Sequence, residues 1–216
     1  MGERDIFELA ETRLSEHGFE GWYHPPEVCI GEEIGASPVS AAAIGSALGL
    51  SRRKLAPGDL ISIDIGPASG EAYGDIATTL LFGGGVEPKI LAVARECVRA
   101  SCGYASRWKT VGEIFVFATA WAVNNRMELA SHGNVGHRVL PREGLLATGF
   151  PRSAYLATRL ARNRIHRLNP VRMAGMFAIR PVVKHGELAA GFEEMIYIQD
   201  EHRIVLGREG LTDIAS

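Results

Sequence analysis

The stretch "LISIDIGPASGEAYGDIATTLLF", Leu60 to Phe82, places two apolar, strand-like runs around a turn sequence, with an aspartate in each run. Asp64 interrupts an isoleucine ladder and Asp75 leads a Thr- and Leu-rich segment. "PASGEA" has turn chemistry, so the two runs read as an antiparallel hairpin. A loop centred on Ser69–Gly70 sets Asp64 directly opposite Asp75 on one face, with Cβ atoms about 4.5–5.5 Å apart. Two ionised carboxylates that close repel in a partly buried site. They coexist if one is protonated, if a basic side chain lies between them, or if a divalent cation bridges them. The plainer alternative is an aspartate that caps the turn or faces solvent at the hairpin end.

Outward from the hairpin, residues 3–17 carry Ile6, Phe7, Leu9, Ala10 and Leu14 at helical spacing, and Gly18 stops them. "GWYHPPEVCIGEE" is extended, because its two prolines preclude helix. "SAAAIGSALGL" fits a loop or a short helix. Strands are expected at about 60–66 and 72–82. "EPKILAVARECVRASCGYA" and "VGEIFVFATAWAVNNRMELA" read as two helices, the first entered through a proline. "GMFAIRPVV" and "EEMIYIQDEHRIVL" return to strand. The mixed order gives an α+β fold.

At 216 residues and 46% hydrophobic, the chain can bury a full core as one domain. A formal charge of −2 gives no general attraction to nucleic acid or anionic lipid. Three cysteines without a C-x-x-C pair indicate neither a disulfide framework nor a zinc ribbon. No apolar run is long enough to span a bilayer, and the charged start has no signal-peptide core. A soluble, cytoplasmic protein is expected, with no nucleic-acid or membrane partner.

"LAPGDLISIDIGP" followed by "YGDIATTLLFGG" resembles the methionine aminopeptidase, prolidase and creatinase family, whose catalytic domain has the pita-bread fold. Downstream, "SHGNVGHRVLP" is similar to the family's Gly-His segment, "AGMFAIRPVV" to its Gly-Met strand, and "GFEEMIYIQDE" to its last strand. Upstream, "GWYHPPEVCIG" is similar to a Trp-His stretch of a prolidase-like subgroup. The resemblance implies a curved antiparallel sheet with metal-type residues on its concave face and helices on the other. It implies Asp64, Asp75, His137 and Glu193 as metal ligands, with His132 the fallback for His137. Glu194, beside Glu193, points to the other face of a strand and is expected to be solvated or to support the ligands. A neutral imidazole beside carboxylates suits one ion of Mn²⁺, Fe²⁺, Co²⁺ or Zn²⁺. A single domain over residues 1–216 would lack the family's first N-terminal helix. The apolar surface so left is expected to be covered in a homodimer.

One departure bears on chemistry. The family carries a glutamate ligand just before the proline of "AIRPVV", and here that residue is Arg180. A guanidinium stays protonated and cannot ligate a metal. Two further family histidines would fall near Ser46 and Gly144; His24, His166 or His185 are candidates to replace them, and His24 is a candidate for proton transfer. Three readings stand open. In the first, the four ligands hold one metal and Arg180 directs its fork at an anionic group of a small or peptide-like substrate. In the second, Arg180 takes the cation position beside Asp75 and Glu193. The pocket is then metal-free, either an enzyme of the creatinase type or a binding module. In the third, an altered dinuclear site persists with an unforeseen ligand and the protein is an aminopeptidase.

Several eye-catching features read as structural. Arg152, Arg159, Arg162, Arg164, Arg167 and Arg172 form a basic segment with only Tyr155 for stacking, which suits a solvated face or an anion-attracting rim. "FGGGVEP" lacks the lysine of a phosphate loop. Trp22 and Tyr23 could wall a pocket but suit core packing, as do Cys97 and Cys102.

Overall fold

The hairpin over Leu60–Phe82 forms, in a register two residues away from the expected one. The structure, a computed structural model, describes residues 1–18, 20–35, 54–69, 72–130, 133–140 and 163–206. The "SAAAIGSALGL" run, Ser46, His132, Gly144, Arg152, Tyr155, Arg159 and Arg162 lie outside the described residues. Strand β2 (Leu60–Ser69) pairs with β3 (Ala72–Tyr73) and β4 (Ile76–Leu81). Ser69 pairs with Ala72, so the hairpin is centred one residue beyond Ser69–Gly70, and Asp64 faces Ala77 rather than Asp75. Strand faces repeat every two residues, so this slip keeps Asp75 on the side of Asp64, one step along the diagonal. Between β3 and β4 the chain leaves the ladder. The Gly74 N–H donates to the Pro67 carbonyl at 2.8 Å and the Asp75 N–H to Met195 Sδ at 3.1 Å.

On its other side β2 pairs with β1 (Gly21–Ile30), setting Glu27 opposite Asp64 and His24 opposite Gly66. The register shifts on both sides of His24, where Pro25 and Pro26 have no N–H to give the ladder. Such an irregularity re-aims a side chain, and the side chain it aims is His24.

A second sheet runs β11 (His202–Val205), β10 (Glu194–Gln199), β7 (Gly175–Ile179), β6 (Gly136–Val139). A third runs β5 (Glu128–Leu129), β8 (Val182–His185), β9 (Leu188–Gly191). The three meet at β4. The Glu193 N–H donates to the Ala77 carbonyl at 2.9 Å, and Thr79 Oγ1 donates to the Gly191 carbonyl at 2.8 Å.

Helix α1 (Glu3–Ser15) is followed by a left-handed Gly18. Helix α2 (Lys89–Tyr104) begins after Pro88, and α3 (Val111–Asn124) opens on a Thr110–Glu113 capping box. The sequence pattern extends α3 to about residue 130, but Arg126 turns left-handed (φ 60°) and residues 128–129 join a sheet instead. The helices cover one face of the second sheet. Phe177, Ile179, Ile196 and Ile198 face them with Val98, Val111 and Ile114, each worth roughly 1.5–3 kcal/mol of burial. Alternate residues face the other way, where Ala178 and Met195 pack with Tyr23 and Val139. This period-2 division places the site on the side away from the helices. Among the described residues no helix is long and apolar enough to cross a membrane.

Candidate metal centre

Six side chains from six segments converge on that face. β2 supplies Asp64, the break after β3 supplies Asp75, and β1 supplies His24. His137 lies on β6, directly opposite Ala178 of β7. Arg180 follows two residues after Ala178, and Glu193 precedes Met195 by two, so both share its face. His137 reaches the site because the residue before it is glycine. Gly136 has φ 129°, and a Cβ there would lie 2.0 Å from the Ala178 carbonyl oxygen.

Asp75 is the hub. Its side chain is 1% exposed. Oδ1 lies 3.0 Å from His24 Nε2, and Oδ2 lies 3.1 Å from His137 Nε2. His24 Nε2 is also 3.4 Å from Asp64 Oδ1. Arg180 ion-pairs through Nη1 with Asp64 Oδ2 and donates from Nη2 to Ser62 Oγ at 3.3 Å. His24, Asp64 and Asp75 bring one donor atom each within 4.8 Å of one another, and Asp75, His137 and Glu193 do the same.

The charges are unevenly answered. Burial opposes ionisation of Asp75, but His137 and His24 outweigh it and hold its carboxyl well below the usual range. Burial pushes Asp64 up, opposed chiefly by Arg180 and then by His24. Burial and the charges of Asp75 and Asp64 push Glu193 far up, with Arg180 the opposing influence. Arg180 is held firmly protonated: burial works against the charge, and Asp64 and Glu193 more than reverse it.

These residues fit a divalent cation, on an observation of this structure. Asp64 Oδ1, Asp75 Oδ2 and Glu193 Oε2 are buried and have no hydrogen-bond partner. The His137–Asp75 Oδ2 contact is close without hydrogen-bond alignment, as two ligands of one ion would be. In proteins generally, buried polar atoms nearly always have a partner, and here three such oxygens converge on one pocket. Asp75, His137 and Glu193 would hold an ion that polarises a carbonyl or lowers the pKa of water.

Other expectations fared variously. Asp64 and Asp75 are not the direct cross-strand pair the hairpin pattern predicts, because the pairing is centred one residue further along the chain. Glu194 is not solvated: it is buried on the helix side, where it raises the pKa of the Cys102 thiol after burial itself. His166 accepts from the Leu168 N–H and His185 is exposed, and neither joins either cluster. Tyr23, expected as packing, is buried and also walls the site, its ring 6.4 Å from that of His137. Ser62 and Gly66 were missed, although both share the face of Asp64 by simple alternation.

The family model of "Metallopeptidase family M24" matches residues 1–200. Among solved structures, X-Pro aminopeptidase from Thermotoga maritima superposes with a TM-score of 0.71 at 16% identity, covering 95% of this chain and 53% of that one. Prolidase from Pyrococcus furiosus gives 0.69 at 16%, covering 95% and 55%. Methionine aminopeptidase from Thermotoga maritima gives 0.67 at 17%, covering 95% and 85%. The chain therefore spans about half the length of the first two. No curated protein matches it.

Proposed function

The chain belongs to metallopeptidase family M24 and has its α+β pita-bread fold, and on that premise we propose that it is a metal-dependent hydrolase of the aminopeptidase or Xaa-Pro peptidase type. The substrate class is peptide-like. One divalent transition metal (Mn, Fe, Co or Zn) is held tightly by Asp75, His137 and Glu193. Asp64 lines the same pocket with its charge answered by Arg180. The observation carrying this reading is the set of buried, unpartnered carboxylate oxygens of Asp75 and Glu193 beside the His137 nitrogen. Arg180 acts as a fixed cation beside Asp64, since two of its nitrogens are already engaged there. The metal supplies the electrophile or the activated water, and the walls around Tyr23 exclude bulk solvent.

A second reading draws on the Arg180–Asp64 ion pair. Arg180 and two imidazoles face three carboxylates, a balance that a metal-free pocket would also use. Elemental analysis separates the two. Protein purified without chelator is expected to carry about one equivalent of metal, lost in Asp75→Ala, and to release N-terminal residues from short peptides. Metal-free protein that turns over no amide would favour the second reading.

A further inference from the structure

We propose that Met195 is a positioning residue of the metal centre: its thioether sulfur accepts the Asp75 backbone N–H and so fixes where the Asp75 carboxylate meets His137 and Glu193. This deepens the reading of Asp75, His137 and Glu193 as metal ligands and rests on it. Asp75 stands in a gap of the hairpin, since β3 ends at Tyr73 and β4 begins at Ile76. Buried backbone donors in such a gap still need partners. The Gly74 N–H goes to the Pro67 carbonyl, and the Asp75 N–H goes to Met195 Sδ at 3.1 Å, across 120 residues of sequence.

The register shows why a side chain takes this place. The Ala77 carbonyl receives the Glu193 N–H at 2.9 Å, and in antiparallel sense the next such pair along is Asp75 with Met195. A backbone acceptor is not on offer at 195, because the Met195 carbonyl is turned to the end of β11, where it accepts the Leu206 N–H at 2.7 Å. The unbranched thioether reaches across instead, a soft acceptor on a flexible stem. Met195 is buried and packs with Tyr23, Val139 and Ala178, which gives the sulfur a fixed seat. It lies opposite Ala178 of β7, which in turn lies opposite His137 of β6. One sulfur therefore ties the Asp75 backbone to the row that carries His137 and to the strand that follows Glu193. Nothing in the linear sequence marks this role, because Met195 reads as one more apolar residue of a strand.

The test uses the full chain, with Mn²⁺ binding followed by electron paramagnetic resonance and the backbone amides by nuclear magnetic resonance. Met195→Leu keeps the apolar bulk and removes the acceptor. It should weaken Mn²⁺ binding about tenfold or more, the scale on which groups that orient a ligand act. Selenomethionine in place of methionine keeps both shape and acceptor, so Mn²⁺ affinity should stay within about threefold while the Asp75 amide proton shifts. That second measurement stands even if Met195→Leu does not fold. Native Mn²⁺ affinity in Met195→Leu overturns the proposal, as does an Asp75 amide signal that selenium leaves in place. If the native chain binds no Mn²⁺ while selenium still moves the amide, the hydrogen bond is real but the ligand reading falls, and the positioning role falls with it.

Discussion

Asp75 offers its two oxygens to two differently built neighbourhoods. On the Oδ2 side stand His137 and Glu193, with an unsatisfied oxygen on each of the Asp75 and Glu193 carboxylates. On the Oδ1 side stand His24 and Asp64, and there Arg180 has been brought in from the end of β7 to pair with Asp64. The same kinds of ligand surround both oxygens, yet a permanent charge answers one half and leaves the other open. On the proposed reading, Arg180, two residues past the buried Ala178, would bias the pocket towards one tight ion without dismantling it.

The bias is expected to break most completely at the shared residue. Asp75→Ala should weaken metal binding at least about 100-fold, as equilibrium dialysis would read. His137→Ala should produce a loss of similar size. Unchanged binding would mean that the imidazole does not hold the ion. In metal-free protein, Arg180→Gln should cost about 3 kcal/mol in urea unfolding, because it strands Asp64 as a buried, unanswered carboxylate. Unchanged stability would show that the ion pair is not the counterweight described above.

The smallest effect sharpens the comparison through pH. Asp75 has a depressed folded pKa, so its contribution to stability is present above the ordinary aspartate value and is lost as pH falls. Glu193 has a raised one, so its contribution is full below the ordinary glutamate value and declines as pH rises towards its folded pKa. Metal-free protein should therefore lose stability on the alkaline side with a slope of at most about 1.4 kcal/mol per pH unit from Glu193. Glu193→Gln should flatten that limb. A metal must displace the Glu193 proton, so binding should also tighten with pH by up to about tenfold per unit.

Much of this was legible in the sequence, for reasons that differ by residue. The hairpin was readable because "PASGEA" carries turn chemistry between two apolar runs, and the face shared by Asp64 and Asp75 survived a two-residue slip because strand faces repeat with period two. The slip itself was not readable, since Ser69 and Ala72 suit either a turn or a final pair. His137 was found through its preceding glycine, and Gly136 proves to be a true close approach to Ala178. The place of His24 beside the aspartates was not readable, because it depends on a bulged β1 and on the bare α-carbon of Gly66, a cross-strand fact that linear spacing does not carry. Glu194 was misplaced because a charged residue beside a ligand suggests solvent, whereas the helical layer covers that side of β10.

The most direct test is anomalous diffraction from crystals of the protein soaked in Mn²⁺. The account predicts one dominant peak enclosed by Asp75 Oδ2, His137 Nε2 and Glu193, with Arg180 still on Asp64. No peak at that point, or a carboxylate of Asp75 or Glu193 turned away to solvent, would contradict it.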